Sequence, residues 1–463
     1  MPDSGIHSKR VLFAGKLVEA TVFIKDGFIS DVVEGTVSKD LAVRKGAGVQ
    51  KTGGAEVFIE DVGNLVVMPG LIDSHVHINE PGRTEWEGFE TITKAGVAGG
   101  ITTLVDMPLN SSPVTVSVST FSEKLAAAEG KLYCNCGFWG GMVPGNSDEL
   151  EGLIKAGVLG VKAFLTHSGI ADFPNVSEAD LRKGLSVLAR HQIPLLVHAE
   201  LDEVHAGIAA FEKNPCSYSA FLNSRPKSWE DKAVALAIEL CRAFKSPIHI
   251  VHLSSADSLP QIKAARAEGL PLTVETCPHY LHFCAEDIPD KNTLFKCTPP
   301  IRERENREHL WNGLKEGVID FIVTDHSPAP ADLKQTASGN LLEAWGGISG
   351  VQFSLPVVWT EAKKRGFDLT EISALMSGNV ADFIGFGGSK GQIKKGYDAD
   401  LVVWDPEKKF VVSADSILYR HKFSPYIGEE LCGEIRQTYV RGKKVFEDGQ
   451  VVNGAQGKVL LRK

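Results

Sequence analysis

Leu71-Ile72-Asp73-Ser74-His75-Val76-His77 is a short apolar run that ends in polar side chains. Seven runs of the same kind follow it, at 101–107, 134–142, 160–165, 194–200, 248–254, 272–280 and 320–328. Most are continuously apolar and rich in β-branched residues rather than alternating, the mark of strands buried on both faces by flanking helices. Amphipathic stretches at 123–129, 178–190, 229–244, 259–268 and 307–315 lie between them. Eight such strands with helical connections predict an α/β fold, a TIM-like (β/α)8 barrel, better than they predict a doubly wound open sheet.

Outside that rhythm, residues 9–66 and 389–463 carry short strand-like pieces broken by turns such as Asp26-Gly27 and Asp448-Gly449. Neither end buries a core alone. The two are expected to meet in one small β-sandwich beside the barrel, giving three segments: 1–66, the catalytic barrel 67–388, and 389–463. The Pro-, Gly- and Ser-containing segment 329–347 interrupts the pattern after the eighth strand and is a candidate site loop.

Composition narrows the function. With 49 Lys+Arg against 58 Asp+Glu, the 463-residue chain has a net charge of −9 and no basic stripe to neutralise phosphates, which argues against a nucleic-acid partner. No apolar run approaches the ~18–20 residues of a membrane span. The N-terminal MPDSGIHSKRVLF lacks the apolar core of a secretory signal. The eight scattered cysteines read as reduced, buried thiols, and Leu461-Arg462-Lys463 is not a peroxisomal tripeptide. The expected location is the cytoplasm.

Polar residues late in apolar strands carry the chemistry. His75 and His77 are two apart, so both imidazoles project to one face. His198 follows Pro-Leu-Leu-Val, His252 follows Ile-His-Ile-Val, and Asp325 follows Phe-Ile-Val-Thr. A single histidine in such a run is more often a satisfied core residue, but an aspartate there is costly without a partner or a metal. Four such positions, in strands one, five, six and eight, all at the barrel's catalytic end, are hard to explain as separate packing events. Lys162, in Gly-Val-Lys-Ala-Phe-Leu of strand four, is either a salt-bridged structural lysine or a neutral amine able to take up CO₂ as a bridging carbamate. Nitrogen and oxygen donors without thiolate suit Zn²⁺, with Mn²⁺, Fe²⁺ or Co²⁺ as substitutes, and six donors suit two ions better than one.

On these elements, and on NEPGR (79–83), DMPLNS (106–111), GVKAF (160–164), VHAE (197–200), ETCPHY (275–280), VTDHSP (323–328), AWGG (344–347) and YRHKFSPYIG (419–428), the chain resembles the amidohydrolase superfamily. Within it the likeness is to the cyclic-amide hydrolases, most closely the allantoinases, and it covers nearly the whole chain. The resemblance implies that His75, His77 and Asp325 hold one metal, that His198 and His252 hold the other, and that carboxylated Lys162 bridges them. It implies hydrolysis of the allantoin ring to allantoate, with Asp325 moving the proton, and a homo-oligomer, commonly a tetramer. Asp73 is expected to orient an imidazole from behind the ligands, while His279 and His326 are expected to be supporting residues.

Departures from neighbouring families narrow the substrate. Dihydroorotases usually carry Arg at the position of Asn79, which cannot grip a carboxylate as a guanidinium does. Hydantoinases and dihydropyrimidinases often carry Tyr at the position of His167 and Asn at that of Trp345. Asn79, His167, Thr298 and Gly347 are the candidate substrate contacts. The alternatives are a dihydropyrimidinase or hydantoinase acting on another neutral cyclic amide, and a non-catalytic scaffold of the same fold.

Overall fold

In a computed structural model that describes residues 3–35, 42–44, 47–52 and 55–462, eight parallel strands form a closed barrel. They are β1 (Leu71–Val76), β2 (Ile101–Asp106), β3 (Asn135–Phe138), β4 (Val161–Phe164), β5 (Leu195–His198), β6 (Ile248–Ile250), β7 (Leu272–Thr276) and β8 (Phe321–Ile322). Residues 1–2, 36–41, 45–46 and 53–54 of the expected N-terminal segment, and Lys463 at the other end, lie outside the described residues. Neighbours pair in chain order, with Gly140–Gly141 carrying β3 past Trp139 onto β4. A bridge between Val76 and His326, with the His77 N–H donating to the His326 carbonyl at 2.9 Å, closes the ring.

The continuous apolar runs are buried on both faces, as their lack of alternation predicts. Ile72, Val105, Trp139, Leu196 and Phe321 pack together as one apolar cluster. The flanking helices follow ordinary helix chemistry. In Glu178–His191 the Ser177 hydroxyl accepts from the Asp180 N–H, Leu181, Leu185 and Leu188 turn inward, and Arg190 and His191 occupy the last turn. β6 and β8 are shorter than the apolar runs suggest. The backbone enters the left-handed region at His252 (φ 38°) and Asp325 (φ 49°), which ends the ladder and turns both side chains toward the barrel mouth.

Strands from the two ends of the chain join in a separate, mainly antiparallel sheet. Its central strand, Val66–Pro69, pairs with Ser4–Phe13 on one side and with Leu401–Val411 on the other, then runs straight into β1. Gly70 makes the join: a Cβ there would lie 2.2 Å from Thr102 Cγ2. Ile6, Val22, Ile24, Val67, Leu401 and Val403 form the apolar core of this second unit. The last residues depart from the sandwich expected for 389–463. Gly457 and Leu460 donate backbone hydrogen bonds to Leu132 and Cys136, so the tail lies along the barrel beside β3. Gly457 permits this because a Cβ would sit 1.9 Å from the Cys134 carbonyl oxygen. Among the described residues no helix is long and apolar enough to cross a membrane.

Candidate metal centre

The C-terminal ends of β1, β4, β5, β6 and β8 bring His75, His77, Lys162, His198, His252 and Asp325 to one buried mouth. Asp325 Oδ1 lies 3.2 Å from His75 Nε2 and 3.3 Å from His77 Nε2. The ring of His252 stands 5.4 Å from that of His75 and 4.6 Å from that of His198. His75, His252 and Asp325 each offer a donor atom within 4.8 Å of the others, a group able to hold a metal ion. Lys162 Nζ sits 5.0 Å from the centre of the Phe164 ring, which stacks on His198.

Two buried atoms in this group, Lys162 Nζ and His252 Nδ1, have no hydrogen-bond partner. Buried polar atoms are rarely left so, and a bound ion or a covalent adduct would give each its missing partner. The remaining imidazoles are already aimed. His75 Nδ1 contacts Glu275 Oε1, and His198 Nε2 lies 2.8 Å from Glu200 Oε2. His77 Nδ1 lies 3.2 Å from the Asn110 side-chain amide. Glu275 also accepts from the His252 backbone N–H (3.3 Å) and meets His249 Nε2 (3.0 Å), so one carboxylate fixes three elements of the mouth. Carboxylates behind histidines in this way set the tautomer that frees the other ring nitrogen for a metal.

Electrostatics agree with a set of neutral nitrogens among fixed anions. Burial lowers the pKa of His75 and His198 and takes His252 well below the usual imidazole value. It also pushes the Lys162 ammonium down to about 7, within reach of the free amine. Burial acts to raise Asp325, but the adjacent His75 and His77 outweigh it and hold the carboxyl far below the ordinary range. Glu275 and Glu200, likewise buried, are brought down to about 2 by their histidines and, for Glu200, by Arg225.

The other predicted residues are placed as follows by the structure. Asp73 orients no imidazole; its carboxylate accepts from the His75 N–H (3.1 Å), the Thr324 N–H (3.2 Å) and the Thr324 hydroxyl (2.6 Å), tying β1 to β8 through the main chain. Glu275, Glu200 and Asn110 orient the imidazoles instead. Of the four candidate substrate contacts only Thr298 lines the cavity over the histidines, together with Leu109, Asn110, Phe164, Ser168, Ser327, Trp345 and Gly346. Asn79 is fully buried at φ 65° and its side-chain N–H₂ reaches the Pro328 carbonyl at 3.4 Å. His167 is exposed, its Nδ1 accepting from the Gly169 N–H. Gly347 packs against the Ser327 carbonyl, and its neighbour Gly346 faces the cavity. His326 is held between Glu87 and the Gly350 N–H. His279 is buried with its Nε2 unpartnered. A wider cleft of ≈ 780 Å³, where Phe353, Phe410 and Arg436 face one another, contains none of these groups.

The chain is similar to known proteins over nearly its whole length. The model of the Amidohydrolase family matches residues 66–445. An allantoinase of Arabidopsis thaliana is 45% identical, the match covering 98% of this chain and 90% of that one. An allantoinase of Saccharomyces cerevisiae is 43% identical over 100% of this chain and 99% of its own. Among solved structures, the L-hydantoinase (dihydropyrimidinase) from Arthrobacter aurescens superposes with a TM-score of 0.90 at 28% identity, over the full length of both chains.

Proposed function

The chain belongs to the amidohydrolase family, and from that premise we propose that it hydrolyses the ring amide of allantoin to allantoate, a step of purine (ureide) degradation. The observation that carries the reading is the unpartnered, buried Lys162 Nζ set among four imidazoles and Asp325. The substrate is suggested by the near full-length likeness to plant and yeast allantoinases. A neutral ring also suits the cavity, whose lining contains no Arg or Lys to meet a carboxylate.

In this reading His75, His77 and Asp325 hold one divalent ion, His198 and His252 hold the other, and the carbamate of Lys162 serves both. Zn²⁺ fits the donor set best, with Mn²⁺, Fe²⁺ and Co²⁺ as substitutes. When bound, such a pair lowers the pKa of water and draws charge from a carbonyl oxygen. The protein's own part is positioning and proton transfer. Asp325 takes the proton of the attacking water and returns it to the leaving ring nitrogen, so the C–N bond breaks to a neutral amide nitrogen and a carboxylate. Thr298 and the main chain at Gly346 border the ring, and Asp73 keeps the strands carrying His75 and Asp325 in register.

Residues 67–388 are the catalytic unit and 1–66 with 389–463 its support. All eight cysteines are free, which fits a reducing cytoplasm. A homo-oligomer, a tetramer by the resemblance, is the expected assembly.

The test pairs metal analysis of the purified protein with turnover of allantoin, hydantoin, dihydrouracil and dihydroorotate. Allantoin is expected to be the preferred substrate, with two equivalents of metal per chain and activity lost on chelation. Preference for dihydrouracil or hydantoin would transfer the chain to the dihydropyrimidinases, and metal-free protein without turnover would make it a scaffold.

A further inference from the structure

Trp345 lines the same cavity as His75, His77 and Asp325, and its indole Nε1 is buried without a hydrogen-bond partner. A buried indole N–H normally has an acceptor. The ring is held in place from three sides. Trp86 packs edge-on at 4.9 Å, Gly169 leaves room where a Cβ would come within 3.3 Å of the ring, and the backbone N–H of Trp345 donates to the Leu333 carbonyl at 2.7 Å.

The loop beneath it is fixed by two lysines that have carbonyl partners and no carboxylate. Lys334, 2% exposed, donates to the carbonyls of Gly347 (2.7 Å), Trp345 (3.0 Å) and Lys296 (3.3 Å). Lys296 Nζ in turn donates to the carbonyls of Ala344 (2.5 Å) and Leu342 (3.3 Å). Moving the loop would break these bonds and leave the buried Lys334 Nζ without partners. The clamp therefore makes the Trp345–Gly346 edge a rigid wall of the cavity.

We infer that the Trp345 indole N–H is a substrate contact, donating to the exocyclic ureido carbonyl that distinguishes allantoin from plain hydantoin, and that Lys334 is the residue that positions it. The inference rests on the allantoin reading above and gives that reading its selectivity: the centre acts on a ring amide common to many hydantoins, while the wall recognises the arm. A site built to bond a polar group rejects an analogue lacking it, because its own buried partner is left unpaired.

The experiment uses the metal-loaded full chain with allantoin as substrate and unsubstituted hydantoin as competitive inhibitor. Trp345→Phe keeps the ring and its packing on Trp86 while removing the donor. It is expected to raise the KM for allantoin about 5–10-fold, with a much smaller change in the inhibition constant of hydantoin. An unchanged KM, or equal weakening of both ligands, overturns the ureido contact. Lys334→Met is expected to lose the same selectivity, and a variant that keeps the wild-type ratio overturns its positioning role. Wild-type protein that does not hydrolyse allantoin would overturn the functional reading as well, a result seen before any variant is made.

Discussion

At the scale of single residues, the centre is a set of ordinary side chains made unusual by burial. Asp325 is the clearest case: two imidazoles within 3.3 Å outweigh the burial that acts to raise its pKa, and hold the carboxyl far below the ordinary range. Asp325→Asn is expected to keep the fold and lose about 10³-fold in kcat; an active Asn variant would remove the proton-transfer role. Glu275→Gln leaves His75 Nδ1 without a charged partner and should weaken metal binding about 10–100-fold, read by chelator competition, whereas unchanged affinity would show that His75 is aimed by something else. Asp325 and the four histidines were legible in the sequence because each is a polar residue late in an apolar strand. Glu275 meets the same criterion, an acid inside Leu-Thr-Val-Glu-Thr, and the same cost argument would have found it. That Asn79, His167 and Gly347 lie off the cavity lining was not legible, because loop side-chain direction depends on backbone turns, such as φ 65° at Asn79, that no spacing rule reveals.

At the scale of elements, the strands were readable because being covered on both sides removes alternation, a signal carried by every residue of the run. Their ends were less so, since the turns at His252 and Asp325 belong to the site rather than to the sheet. Packing between elements offers a pH test well away from the metal donors. His282 ends the helix Pro278–His282, with Nε2 at 3.1 Å from Glu429 and Nδ1 at 3.5 Å from Glu361 of the helix Ser354–Ala362. Burial opposes its charge, but the two carboxylates outweigh burial and raise its pKa. A folded-state pKa above the unfolded value gives stabilisation that is complete below about 6.5 and fades as pH rises through the folded value. His282→Gln should therefore lower the melting midpoint by about 2 °C at pH 6, with the gap from wild type narrowing as pH rises through the raised folded-state value. A gap that widens with pH would contradict the pairing.

For the whole molecule, the contact between barrel and terminal sheet decides how firmly β1 is presented. Asp400 accepts from Lys390 Nζ (2.6 Å), the Asn135 side chain at the start of β3 (3.1 Å) and the Arg441 N–H (2.7 Å), joining both units in one buried knot. Asp400→Ala leaves Lys390 with Asp398 alone and is expected to cost about 3 kcal/mol in denaturant unfolding, with kcat retained in the folded fraction; an unchanged midpoint would show that the units are held elsewhere. The turns at Asp26-Gly27 and Asp448-Gly449, with positive φ at both residues of each pair, made the terminal strands visible in the sequence. The tail beside β3 was not visible, because backbone bonding of that kind leaves no pattern beyond a glycine at the closest approach.

The seating of Val66–Pro69 between Ser4–Phe13 and Leu401–Val411 has a consequence for biosynthesis. The strand leading into His75 and His77 leaves the ribosome with one neighbour in hand and must wait for a second encoded more than three hundred codons downstream. At roughly 5–20 residues per second that wait is about 20–60 s, during which an apolar edge stays bare. Nascent chains of this enzyme should accordingly be clients of ribosome-associated chaperones, and maturation should begin only after Leu401–Val411 has been made.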